Sequence, residues 1–388
     1  LGLVIGILLT ISGRYYAFQF DYGDFQGSLD TTLSLGASWR VQDQDSDIIG
    51  TANGGTAYSV NADDGTMNYD TGLVSSVAKI TSELDLIYQN NFGTFIRGTA
   101  FYDFENEHGD RDKDDLTSEA LDLVGSRIEL LDAYVWASFD IGNMPAQLRV
   151  GEQVVSWGES TFIQNSINAI NPVNVNALRL PGSELKEALL PEGMVWASIG
   201  IFENLTLEGF YLYDWDETEI DPPGSFWSTN DFAGEGGNRV MLGWGDVPEG
   251  NFLGVPRAGT NWADDSGQFG LAARAYVPQM NDTEFGFYFM KYHSRLPVIS
   301  ATSGTIPGLI NAGNIPANVS PAIIGAYNPA DFAGMVAAGV GAGATFTQAA
   351  VISQTLIAVG GNPLNPAYAS SVSAATTDAY ARTASYHT

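Results

Sequence analysis

The sequence predicts an all-β protein: an antiparallel, up-and-down transmembrane β-barrel with short periplasmic turns and long extracellular loops. Three observations carry this expectation. Segments of about ten residues alternate between apolar and polar positions with a period of two, the mark of half-buried strands. Their connections alternate between short and long without exception. Charged residues make up only 16% of the 388-residue chain, against roughly 25% in ordinary soluble domains, while aromatics reach 12% and glycines number 44.

In chain order, residues 1–17 read as a signal peptide whose start is missing, an apolar run of 11 residues followed by Ser12, Gly13, Arg14 and Ala17. In 29–41, Leu29, Leu33, Leu35, Ala37, Trp39 and Val41 alternate with Asp30, Thr32, Ser34, Ser38 and Arg40. The same pattern predicts strands at 78–89, 96–103, 128–140, 146–157, 193–201, 205–215, 267–277 and 284–294, about nine in all. In 128–140 it places Leu131, Ala133, Val135, Ala137 and Phe139 on one face and Asp132, Tyr134, Ser138 and Asp140 on the other.

Connections at 90–93, 141–145, 202–204 and 278–283 are tight and rich in Asn, Gly and Pro, as hairpin turns are. Those at 42–76, 105–127, 158–192 and 216–266 are long, and loops of that length are uncommon in compact soluble domains. The first holds no Lys or Arg but carries Asp43, Asp45, Asp47, Asp63, Asp64 and Asp70, an acidic loop suited to water.

Residues 18–295 therefore read as barrel wall, and 296–388 as an Ala- and Gly-rich extracellular insertion, truncated and partly helical or disordered, with helical pieces near 332–340 and 349–359. A cap and a plug are equally compatible with it. Nine strands leave an edge that lipid cannot satisfy, so the chain reads as the N-terminal fragment of a larger barrel.

A formal charge of −29, from 45 acidic and 16 basic residues, excludes nucleic acid as a partner. Cysteine is absent, which removes disulfides and thiolate metal sites. With apolar faces toward lipid, the lumen receives Glu83, Asp85, Arg97, Arg149, Gln153, Trp157, Glu208 and Arg274 as candidate solute-binding residues, alongside Lys79, Asp103, Asp132 and Asp214. The Asn- and Pro-rich loop 158–192 is the candidate constriction, through Glu159, Gln164, Asn165, Asn171, Arg179 and Glu184.

Catalysis is not expected. Trp157-Gly158-Glu159-Ser160 lacks the flanking glycines of a nucleophile elbow, and the chain has three histidines. The acidic run from Asp110 to Asp115 lacks the Gly and Glu of a calcium loop, so neither a metal nor a cofactor is expected.

Several runs resemble the domain-of-unknown-function 1302 family of Proteobacteria. They are Arg149-Val-Gly-Glu-Gln-Val-Val-Ser-Trp-Gly-Glu-Ser160 with its continuation to Asn165, Gly182-Ser-Glu-Leu-Lys-Glu-Ala-Leu-Leu-Pro191, Leu207-Glu-Gly-Phe-Tyr211, Phe226-Trp-Ser-Thr-Asn-Asp-Phe232, Ala17-Phe-Gln-Phe20 and Tyr292-His-Ser-Arg-Leu-Pro297. The resemblance implies an outer-membrane barrel of a Gram-negative bacterium that acts as a channel or conduit for small hydrophobic or amphipathic solutes. It implies as partners outer-membrane lipids and lipopolysaccharide, the barrel assembly machinery, an outer-membrane lipoprotein and an exporter system. The alternative expectation is a barrel scaffold whose long loops act as an adhesin or carry a hydrolase site.

Overall fold

The computed structural model describes residues 18–158, 167–249, 254–302, 318–370, 372, 375 and 385–387. Its centre is a ten-stranded antiparallel sheet in which each strand pairs with the next along the chain. The strands are β1 (Phe18–Tyr22), β2 (Phe25–Arg40), β3 (Gly72–Tyr88), β4 (Phe92–Asp103), β5 (Ser126–Ile141), β6 (Met144–Gln153), β7 (Glu192–Phe202) and β8 (Leu205–Leu212). After a small hairpin, β9 (Arg239–Met241) with β10 (Gly254–Pro256), the sheet resumes as β11 (Gln268–Val277) and β12 (Thr283–Lys291). A separate pair, β13 (Ser300–Thr302) and β14 (Ser385–His387), lies outside it.

All nine expected strands are present, and β1 is an addition, too short at five residues to show a period. Three strands end early: β6 stops at Gln153, β8 at Leu212 and β12 at Lys291. Several are long, 16 residues in β2 and β5 and 17 in β3, against the five or six usual in globular sheets. Gln89 and Asn90 both adopt positive φ, 50° and 60°, the consecutive left-handed residues that fit a two-strand hairpin to the twist of β3 and β4. Among the described residues β1 and β12 are the sheet's edges and do not pair with each other. No described helix is long and apolar enough to cross a membrane.

The two faces of this sheet differ sharply. Following the register from Leu29 and Leu84 through Ile96, Val135, Val150, Val195, Leu207 and Leu271 to Phe287 traces one face. It is apolar and open: Leu33 is 76% exposed, Ile128 90% and Phe287 67%. Among the described residues its charged members are Glu152 and Lys291, both at the long-loop end. On the opposite face Lys79, Thr81, Asp132 and Gln153 are buried. A soluble sheet does the reverse.

One expected face assignment changes. Between the pairs Ile96↔Ala133 and Gly98↔Leu130 the β4–β5 register shifts, so Arg97 faces two residues of β5, Leu131 and Asp132, in a β-bulge. The extra residue inverts the alternation beyond it. Leu131 therefore leaves the apolar face and is buried, while Leu130 takes its place in the open.

After the sheet, helices at Val319–Gly325, Phe332–Gly341 and Phe346–Ala358 overlap the two helical pieces expected and add a third. Asp331 accepts from the Gly334 N–H at 2.8 Å, and Thr345 forms a capping box with Gln348. Val319, Ile323, Met335, Ile352 and Leu356 form their core.

Candidate functional site: the inner face and the segment crossing it

Of the connection between β6 and β7, the described residues 167–191 reach β2, four strands from β6, across the polar face. Its start is pinned by Asn171. The Asn171 Oδ1 accepts from the Val155 N–H at 2.9 Å, and its Nδ2 donates to the carbonyls of Gln153 and Leu190 at 3.1 and 2.9 Å. A side-chain amide used in this way satisfies three backbone groups where the strand ends. Asn174 then caps the short helix Val175–Arg179, accepting from Ala177 N–H at 2.8 Å. Arg179 pairs with Asp221 at 3.1 Å and lies over the Trp227 ring.

Farther along, Pro181 touches the wall at Gly36. A Cβ there would stand 2.5 Å from the Pro181 Cβ, so the close approach requires glycine. Lys79 on β3 donates to the Gly182 carbonyl at 3.0 Å and pairs with Glu187, which also accepts from Thr81 at 2.7 Å. Burial disfavours the Glu187 carboxylate, but the hydrogen bonds from Lys79 and Thr81 outweigh it and hold its pKa below the ordinary value. The network continues: Lys186 pairs with Glu83 at 2.8 Å and with Glu184 at 3.2 Å, and Arg97 joins Glu83 at 3.0 Å to Asp132 at 2.8 Å.

A second cluster lies under the start of the segment. Trp157 is buried against Phe210 and Tyr288, and its Nε1 donates to Glu208 at 3.0 Å. Arg274 completes this cluster, donating to Glu208 at 2.7 Å. Arg295, just past β12, donates to Glu192 and to the carbonyls of Asp216 and Ile170 at 2.9 and 3.0 Å, which clamps the ends of the segment to the wall.

The predicted candidates thus fall into place unevenly. Glu83, Asp85, Arg97, Arg149, Gln153, Glu208 and Arg274 share the inner face by register, and Trp157 lies past the end of β6 on the same side. Gln153 is wholly buried and donates to the Met194 carbonyl at 3.2 Å. Asn171, Arg179 and Glu184 belong to the crossing segment. Glu159, Gln164 and Asn165 lie outside the described residues. Sequence reading missed Lys186, Glu187 and Arg295 as anchors. The adjacent Lys-Glu pair, close after Glu184, was the available signal for the first two.

At the long-loop end three connections meet around Lys113, which pairs with Asp63 at 3.3 Å and with Asp64 and Glu249. The Asp63 N–H donates to Asp231 at 3.0 Å. The lysine fills this acidic cluster, joining the β2–β3 and β4–β5 connections to the long connection between β8 and β11.

These features define a large antiparallel meander sheet with an open apolar face and a charged, hydrogen-bonded face crossed by the segment 167–191. The family model of proteins of unknown function DUF1302 matches residues 1–384, and the chain belongs to that family. No curated protein and no solved structure matches it.

Proposed function

We propose that the protein is an outer-membrane channel of a Gram-negative bacterium, passing small hydrophobic or amphipathic solutes through a β-barrel lumen. The reversed polarity of the sheet carries this reading. Leaving Leu33, Ile128 and Phe287 in water would cost about 1.5–3 kcal/mol each relative to burial, whereas lipid removes that cost. The paired charges of the opposite face would line a water-filled path, and the segment 167–191 would narrow it. In this reading the Lys113 cluster gathers the extracellular loops, and lipid and lipopolysaccharide surround the wall. Barrel assembly machinery inserts it, and an outer-membrane lipoprotein and an exporter system are its functional neighbours.

The test is conductance of the purified full chain in planar bilayers, together with heat-modifiable migration on gels. Discrete conductance steps and faster migration of the unheated sample are expected. A chain that fractionates with soluble periplasmic proteins and forms no pore would overturn the reading.

A further inference from the structure

We propose that the inner wall carries a binding site for organic anions, an aryl or short alkyl carboxylate, centred on Arg149; this rests on the reading of that face as a water-filled lumen. Lys79, Arg97, Arg127 and Arg274 on the inner face each hold a carboxylate. Arg149 has no ion-pair partner among the described residues. Acids are not scarce in this chain, with 45 Asp and Glu against 16 Lys and Arg. In the register row from Gln26 on β2 to Met290 on β12, Arg149 is the one charged residue, and its cross-strand partners are Trp136 and Trp196.

The guanidinium lies 4.7 Å from the Trp196 ring centroid and 5.6 Å from that of Tyr134. Stacking of this kind holds the fork in place without using its in-plane N–H groups; its polar contact among the described residues is one long bond to Gln147, 3.4 Å. Trp196 is 9% exposed, and its buried Nε1 has no hydrogen-bond partner among the described residues, an unmet donor beside the cation. Tyr134 also packs on Phe95, with ring centroids 5.8 Å apart, which extends the apolar wall. A cation with its fork unspent, an unmet indole N–H and aromatic faces together match a carboxylate carrying an apolar body.

The probe is 3-phenylpropionate, titrated calorimetrically into the full chain in detergent micelles, with 3-phenylpropanol as its uncharged counterpart. The wild-type chain is expected to prefer the acid by about tenfold, and Arg149→Gln to weaken its binding by about tenfold, the scale of one charge-assisted pair. Equal affinity for acid and alcohol, or no acid binding, overturns the proposal without any variant. So does an Arg149→Gln chain that still shows heat-modifiable migration and binds the acid as the wild type does. Block of bilayer conductance by the same acid separates the two readings. Arg149-dependent binding without a pore leaves the site standing and the channel reading overturned. A pore whose acid binding ignores Arg149 does the opposite.

Discussion

In the helices between Val319 and Ala358, Ile323, Met335, Ile352 and Leu356 are fully buried, as in any water-soluble core. In the ten-stranded sheet Leu33, Ile128 and Phe287 stand in the open while Lys79, Asp132 and Gln153 are buried. One chain therefore carries two opposite sorting rules. In the channel reading proposed above, the difference reflects what each part is sorted against: the helices against water, the outer sheet face against a medium that accepts apolar groups and offers no hydrogen bonds.

The comparison can be broken most forcefully at the inner face, because there charges occupy the place of a core. Lys79→Met leaves Glu187 buried without its ion pair, and removing one partner of a buried pair costs about 3–5 kcal/mol. Protease sensitivity within 167–191 should rise, and replacing both residues with Met should recover much of the loss. If Lys79→Met leaves that segment as resistant as before, the pair does not hold it.

In the helical region the expected loss is about 2–5 kcal/mol for Leu356→Ala, the usual result of deleting a buried leucine. Amide exchange should rise in 319–358 while the sheet's protection stays as it was. A matching loss of protection in β2–β8 would mean that the two regions share one core, contrary to the separate cluster the helices form.

On the outer face, Leu33→Arg should cost about 2–4 kcal/mol in lipid vesicles, the midplane value for a charge facing hydrocarbon. Exposed positions in soluble proteins tolerate such changes within about 0.5 kcal/mol. Urea unfolding from vesicles distinguishes the two, and a neutral result would remove lipid from the comparison.

Most of the sheet was legible because long strands repeat a period of two, and short and long connections then order them. Leu131 was misplaced for a physical reason: a β-bulge consumes one residue, and nothing in the local composition marks where Arg97 will face two partners. The inner-face candidates followed from alternation alone. Their partners did not, since Glu187 lies 108 residues from Lys79 and Arg295 lies 103 from Glu192, separations that only register and loop path can close. Arg149 shows the limit in reverse: its position was readable, whereas its lack of a carboxylate partner among the described residues emerged only with the row of residues around it.

The smallest effect expected lies in the long-loop cluster, where the surrounding medium is water and protons. Burial pushes Asp231 above the ordinary carboxylate range, with neighbouring Asp64 and Asp63 adding to the shift; burial likewise raises Glu217 to about 7 and Asp221 to about 6. A pKa raised in the folded state contributes stability that is complete below the unfolded value, near 4. It is lost as pH climbs through the folded value. The loops should therefore close more firmly at pH 5 than at pH 8, with Lys113 charged throughout. Its own burial opposes that charge, but bonds to Asp64 and Glu249 outweigh the penalty. Exchange at the Gly50 and Asp63 amides, which donate to Asp63 and Asp231 at 2.7 and 3.0 Å, reports the cluster directly once intrinsic rates are corrected for pH. Protection should fall over this range in the wild type, and Asp231→Asn should flatten the slope. A variant that kept the full slope would move the titrating group out of this cluster and leave the sheet's two faces as the only place where the medium sorts charge.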